Sequence, residues 1–366
     1  MCGIIGSVGK SSNLKVSYVL LTHLLRETQR RGPHATGHFV VESETNETFW
    51  FKSPIPSKIY TGLAEWKLMN EVSTKAMIGH ARYKTHGNEY SNKNNHPHIS
   101  NSGNIGLVHN GTIHRFPEFK EQYTLSGQSD SELLLAIIVQ EGNIVNGIKK
   151  IYEEFGVSGD FACEVIYRNP DNGHTRFCFF RDPGRPGRFI DARKELGQMF
   201  FCSTTPIWND AVRRAEKEYP ALTKYHLRDL TVSIIPSFQI WEIDAQTLKI
   251  IKHEIKQPIR REKKPAAKND EKKKTTAYDQ WEKLQRRGAS TYVRKPKPFP
   301  PTSRLGGRST VDSAAKDMFN EDWYSRQRAN RHLAMQPIAD KVFIHSNDDE
   351  SEKQFPHHGI VCEKRN

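Results

Sequence analysis

Apolar residues recur at helical spacing just after the N-terminus, at Leu14, Val19, Leu20, Leu21, Leu24 and Leu25. This stripe predicts one amphipathic helix, capped by the Asn13 side chain and stopped near Gly32. The period then shortens to two, and strands are predicted over residues 37–41, 48–51, 76–82 and 105–109. Two helical patterns follow at 131–140 and 144–154, and then a second set of strands at 160–167, 175–181, 198–203, 230–235 and 238–243. Residues 206–219 read as a further helix, with Pro206 tolerated in its first turn. At the very start, Ile4 and Ile5 lie between Gly3 and Gly6, which suits a short buried strand beginning at Cys2. Helices grouped between grouped strands fit a layered α+β domain better than a regularly alternating parallel sheet.

This patterning stops near residue 255, and the charge distribution changes there too. The 366-residue chain carries a formal net charge of +13, of which residues 256–310 hold +12 and residues 311–366 hold −2, leaving +3 for the rest. The N-terminal 255 residues are therefore an almost neutral domain, and the basicity belongs to the segment after it. That segment contains Lys263-Lys264-Pro265, Lys272 to Lys274 and Pro296-Lys297-Pro298-Phe299-Pro300-Pro301. With few apolar positions to offset chain entropy, it is expected to be a disordered linker. Met318, Phe319, Trp323, Tyr324, Leu333 and Met335 suggest one short helix in an otherwise loose tail over 311–366.

Several classes of protein are disfavoured by the same survey. No apolar run approaches a membrane span, and the first thirty residues lack the layout of a secretory signal, so a cytoplasmic protein is expected. Cys163, Cys178, Cys202 and Cys362 are scattered without paired spacing, which points to reduced thiols and no cysteine-built metal site. No internal repeat is evident.

Cys2 is the most informative residue. If Met1 is removed, it carries a nucleophilic thiol and a free α-amine that titrates near ~8, a nucleophile and its base within one residue. Five further polar constellations follow in order: Arg31-Gly32-Pro33-His34-Ala35-Thr36-Gly37; Gly79-His80-Ala81-Arg82-Tyr83-Lys84-Thr85-His86-Gly87; Asn95-His96-Pro97-His98; His109-Asn110-Gly111; and Ser129-Asp130-Ser131-Glu132. With Arg181-Asp182-Pro183-Gly184-Arg185-Pro186 beyond them, residues 2–250 resemble the class II glutamine amidotransferases, the N-terminal nucleophile or purF-type glutaminases.

The resemblance implies a four-layer αββα sandwich with the cysteine at the end of a central strand, a glutaminase domain over 2–255, and no cofactor. Arg82 matches the arginine that holds the glutamine α-carboxylate, with Thr85 and His86 as neighbours completing that pocket. Asp130 matches the acid that takes the α-ammonium, Asn110 with the Gly111 N–H matches the oxyanion hole, and Arg31 with Gly32 resembles the loop that orients the cysteine. The chemistry is also consistent when worked from the residues alone. Attack of a thiolate on an amide carbonyl creates an oxyanion that needs fixed donors, and Asn110-Gly111 offers a carboxamide beside a main-chain N–H.

Taken singly, each residue has a plainer explanation. Arg82 and Asp130 could be a structural ion pair, Asn110-Gly111 a hairpin turn, and Ser129-Asp130 a helix cap. His80, His86, His96, His98 and His109 invite a metal reading, but without an HExxH pattern they read better as hydrogen-bonding side chains. His34 stands where the family usually has an aspartate, and Tyr83-Lys84 where it has a tryptophan and a small residue, which bears on the loop over the site. The sequence shows no P-loop, no ATP-pyrophosphatase loop and no phosphoribosyl-binding acidic loop. The leading expectation is therefore a glutamine amidotransferase subunit that hands ammonia to a separate acceptor enzyme, with nucleotide or nucleic-acid base modification as the candidate acceptor chemistry. The alternatives are an amidase acting on a γ-glutamyl compound, or a nucleic-acid-associated protein whose segment 256–310 binds phosphate backbone.

Overall fold

The computed structural model describes residues 2–85, 87–113, 116, 120–155 and 160–256. His86, the basic segment beyond Lys256, the tail with its expected helix, and the nucleic-acid partner assigned to that segment lie outside the described residues.

Thirteen strands among the described residues form two antiparallel sheets. They are β1 (Gly3–Val8), β2 (Ala35–Glu42), β3 (Thr48–Ser53), β4 (Thr74–Arg82), β5 (His98–Ile99), β6 (Ile105–Thr112), β7 (Asp160–Arg168), β8 (Thr175–Arg181), β9 (Arg188–Ala192), β10 (Gln198–Cys202), β11 (Val232–Ile234), β12 (Gln239–Asp244) and β13 (Ile250–Glu254). The first sheet has the order β11-β9-β10-β1-β4-β2-β3 and the second β13-β12-β8-β7-β6-β5. The N-terminal strand is thus the middle of the larger sheet, with Gly3 paired to Ala81 on one side and Ile5 paired to Cys202 on the other.

The main helices are α1 (Leu14–Thr28), α4 (Asp130–Gln140), α5 (Ile144–Phe155) and α7 (Thr205–Glu218); α2 (Ser57–Tyr60), α3 (Ala64–Lys67) and α6 (Arg193–Leu196) are single turns. Three apolar clusters separate the layers. Leu20 and Leu24 of α1 and Trp208 and Val212 of α7 pack on Ile5, Val40, Met77 and Phe200 of the larger sheet. Ile4, Val8, Phe39 and Ile78 of that sheet face Val108, Ala162, Ile166 and Phe177 of the smaller one. Leu134 and Ile138 of α4 and Ile148 and Ile151 of α5 cover Leu107, Cys163, Val165 and Phe180 on its far side. The architecture is a four-layer αββα sandwich, as expected. At about 25 cal/mol per Å² of apolar surface, burying side chains as large as Trp208 and Phe177 in these clusters is the main stabilising contribution.

Strand alternation dictates which residues meet. In β1, Ile5 belongs to the outer cluster and Ile4 and Val8 to the inner one, so even-numbered positions point between the sheets. In β4 the inner set contains Ala76 and Ile78, and therefore His80 and Arg82 further along; in β6 it contains Val108, and therefore Asn110. Three chemically distinctive residues thus share one end of the space between the sheets.

The predicted strands and long helices are present with ends shifted by a few residues. Asn13 caps α1 through its side chain on the Val16 N–H, but the helix ends at Thr28, and a 3₁₀ turn over Gln29–Arg31 carries the chain to Gly32. The pattern did not predict β5, β9 or β13. Strand β9 emerges from a run of glycine, proline and arginine, and it becomes a strand because β10 and β11 pair along its two edges. No helix among the described residues is long and apolar enough to cross a membrane.

Candidate active site

Cys2 lies directly before β1 and is 7% exposed. Its Sγ is 3.3 Å from the Tyr83 backbone N–H, which donates to it, and 3.4 Å from the Tyr83 carbonyl. Burial pushes the Cys2 thiol up from its ordinary value, while the Tyr83 main chain and the Arg82 charge pull it back by less. The thiol therefore rests protonated and requires a base close by.

The backbone around the nucleophile is held from several directions. Arg31 Nε donates to the Cys2 carbonyl at 2.8 Å. The Ile4 N–H donates to Ser203 Oγ at 2.9 Å, and the Ser203 N–H donates to the Ile4 carbonyl at 3.2 Å. Gly32 passes over the end of β4 so closely that a Cβ there would lie 2.3 Å from the Arg82 carbonyl carbon and 2.5 Å from the Tyr83 nitrogen. A glycine at this point leaves in place the peptide whose N–H faces the thiol.

Arg82, the last residue of β4, is buried, and its Nη1 donates to Asn95 Oδ1 at 2.8 Å. Asp130 opens α4, where a carboxylate is favoured by the helix dipole, and its Oδ2 accepts the Ile113 N–H at 2.7 Å. The Ser129 side chain caps the same helix on the Ser131 N–H. The Cys2 thiol feels the charges of both Arg82 and Asp130, and Arg82 feels that of Asp130, which places the three groups in one neighbourhood.

Asn110 is fully buried in β6, and neither oxygen nor nitrogen of its carboxamide has a hydrogen-bond partner among the described residues. A buried, unpaired amide is costly and calls for an explanation. The adjacent Gly111 cannot be replaced without a shift, because a Cβ there would lie 1.8 Å from the Asp160 carbonyl oxygen. His80 Nε2 lies 3.0 Å from the His109 carbonyl, so β4 and β6 touch across the sheets one residue short of Asn110.

Cys2, Arg82 and Asp130 therefore share one neighbourhood, Asn110 and Gly111 lie on the stretch of β6 between His109, which meets His80, and Ile113, which meets Asp130, and Arg31 and Gly32 bracket the cysteine. Thr85 is exposed in the loop after β4, outside this buried group. The histidines form a buried stack, with His80 and His96 ring centroids 4.0 Å apart and His96 4.7 Å from His98. His109 Nδ1 is 2.8 Å from Ser131 Oγ, joining β6 to α4. Burial pushes His80 down to about 3 and His96 and His98 well below the usual range, so these rings are neutral. Among the described residues no three His, Cys, Asp or Glu side chains are arranged to hold a metal ion.

The positions that depart from the family pattern contact one another. His34 Nδ1 accepts the Lys84 N–H at 2.9 Å, its ring centroid is 4.9 Å from that of Tyr83, and Lys84 Nζ is 2.6 Å from Glu89. Asn95, Ser203 and the Tyr83 main chain escaped sequence reasoning as site residues. Asn95 was visible within a motif, but nothing in the chain tied it to an arginine thirteen positions earlier.

No family model matches the chain. The glutamine–fructose-6-phosphate aminotransferase of Lactococcus lactis is 35% identical over 182 residues, covering 46% of this chain and 28% of its own. The Bacillus subtilis enzyme of that name is 35% identical over 186 residues, covering 48% and 28%, and that of Clostridium tetani 30% over 173, covering 45% and 26%. The chain thus spans about a quarter of the length of these curated relatives. Among solved structures, the glutamine phosphoribosylpyrophosphate amidotransferase of B. subtilis is 18% identical, with a TM-score of 0.49, and covers 69% of this chain and 49% of its own.

A four-layer αββα sandwich with a cysteine at the head of its central strand, together with this similarity to aminotransferases named for glutamine, supports a class II glutamine amidotransferase domain.

Proposed function

We propose that the domain hydrolyses L-glutamine to glutamate and ammonia through a thioester on Cys2, and that the ammonia passes to an acceptor enzyme. The names of the relatives that use glutamine support the first half of this reading. The observation that carries it is the buried Asn110 carboxamide, without a hydrogen-bond partner among the described residues, beside Gly111 at the end of the inter-sheet space where Cys2, Arg82 and Asp130 meet.

With Met1 removed, the Cys2 α-amine takes the thiol proton and the thiolate attacks the side-chain amide carbon of glutamine. The C=O electrons move to oxygen, and the resulting anion is met by the Asn110 carboxamide N–H and the Gly111 main-chain N–H. The ammonium then gives its proton to the departing nitrogen, and ammonia leaves behind a γ-glutamyl thioester. Water, losing a proton to the amine, attacks the thioester; collapse breaks the C–S bond and releases glutamate and the thiol. Arg82 pairs with the α-carboxylate and Asp130 with the α-ammonium, so the site favours a free amino acid over a blocked amide.

The test is glutamate release from glutamine by the full chain, with intact mass recorded, for wild type and Cys2→Ala. Release by the trimmed wild-type chain that Cys2→Ala abolishes supports the reading, and a chain that retains Met1 is expected to be inactive. Release unchanged in Cys2→Ala would overturn it.

A further inference from the structure

We propose that Asn95 is a positioning residue that aims Arg82 at the substrate's α-carboxylate and so sets selectivity for a free carboxylate; this rests on the glutamine reading above. Asn95 is fully buried, and both polar atoms of its side chain are engaged. Its Oδ1 accepts from Arg82 Nη1 at 2.8 Å. Its Nδ2 donates to the Glu89 carbonyl at 2.7 Å and to Asn92 Oδ1 at 3.1 Å. These two donor contacts fix the amide's orientation, because a flipped carboxamide would place an oxygen against two acceptors and an NH₂ against the guanidinium.

The main chain at the same residue is held independently. Lys52 Nζ reaches from β3 and donates to the Asn95 and Pro97 carbonyls, both at 2.9 Å. Asn94 Oδ1 accepts the Gln128 N–H at 2.7 Å, tying this stretch to the loop that leads into Asp130. Asn95 is thus held by β3, by its own loop and by the approach to α4, and from there it grips the guanidinium at the end of β4.

The chemistry of the gripping group decides what Arg82 can still do. A carboxylate at position 95 would neutralise the guanidinium and compete with a ligand carboxylate for its fork of donors. A neutral carboxamide accepts one N–H and orients the plane without cancelling the charge. A hydrogen bond to a charged group, once lost, is expected to cost about tenfold or more in affinity for the ligand that depends on that pose.

The experiment is calorimetric titration of the full chain carrying Cys2→Ala, so that nothing turns over, with L-glutamate and with L-isoglutamine, whose α-carboxylate is replaced by an amide. Asn95→Ala is expected to weaken glutamate about tenfold or more and isoglutamine less than about twofold. Asn95→Asp, which keeps the side-chain volume and an acceptor, is expected to weaken glutamate at least as much, and it decides the matter alone if the alanine variant does not fold. Equal weakening of both ligands, or no change, would overturn the assignment while leaving the glutamine site intact. Failure of the parent chain to bind glutamate would remove the glutamine reading and this inference together, and the parent titration separates that outcome from the other.

Discussion

Asn110 and Cys2 are buried polar residues whose places in the proposed mechanism account for their burial. On the proposed mechanism, a carboxamide with no partner among the described residues is a donor for a charge that exists only during reaction. Asn110→Ala is therefore expected to lower kcat by about 10²–10³ with little change in KM, measured by steady-state glutamate release. A parallel rise in KM would instead assign Asn110 to ground-state binding. The pH dependence follows from the raised Cys2 thiol and its amine. The thiol starts protonated and hands its proton to the amine, so only the amine must be neutral beforehand, and kcat/KM should fall by about tenfold per pH unit below the α-amine's value near ~8 and level off above it. A flat profile between pH 6 and 8 would show that the thiol is already ionised at rest. Cys2, Arg82, Asn110 and Asp130 were legible in the sequence because each sits in a compact motif. Asn95 and Ser203 were not, because their partners lie 13 and 199 positions away and only folding brings them together.

The site is assembled by the ends of β1, β4 and β6 and the start of α4, and the crossing of Gly32 over β4 is its tightest joint. Gly32→Ala places a methyl against the Arg82–Tyr83 peptide, and the peptide must move or rotate. Because that peptide's N–H faces the Cys2 thiol, the variant should lose more than about tenfold in kcat while unfolding only about 1–3 kcal/mol more easily. Thermal unfolding read beside activity checks this, and retained activity would mean that the peptide does not position the thiol. Long elements with strong apolar period, such as α1 and β4, were predictable from residue order. The five-residue β9 and β13 were not, since a short strand is defined by the edges that flank it.

Across the whole molecule, the inter-sheet core holds one carboxyl group that the proposed mechanism does not use. Glu164 of β7 shares the inward face with Ala162 and Ile166 and is fully buried, and neither oxygen has a hydrogen-bond partner among the described residues. It fits because Gly6 lies opposite, where a Cβ would be 2.9 Å from Glu164 Oε2. Burial pushes its carboxyl well above the ordinary 4.5, so the folded protein keeps a proton that the unfolded chain releases. The unfolded state then binds fewer protons, and stability contributed at this site falls as pH rises above 4.5 and is unaffected below it. Glu164→Gln should unfold at a higher temperature than wild type at pH 8, with the difference shrinking toward pH 4. An equal difference at both pH values would show that Glu164 does not titrate on unfolding.

Residue order alone determined the layered α+β class, through local period, and the compact motifs around Cys2, Arg82, Asn110-Gly111 and Asp130, through the resemblance they carry. Tertiary structure alone decided that β1 lies in the middle of its sheet, that even-numbered positions of β1, β4 and β6 face the space between the sheets, and that Asn95 grips Arg82. Those facts depend on contacts across as many as 199 positions, which no local pattern encodes.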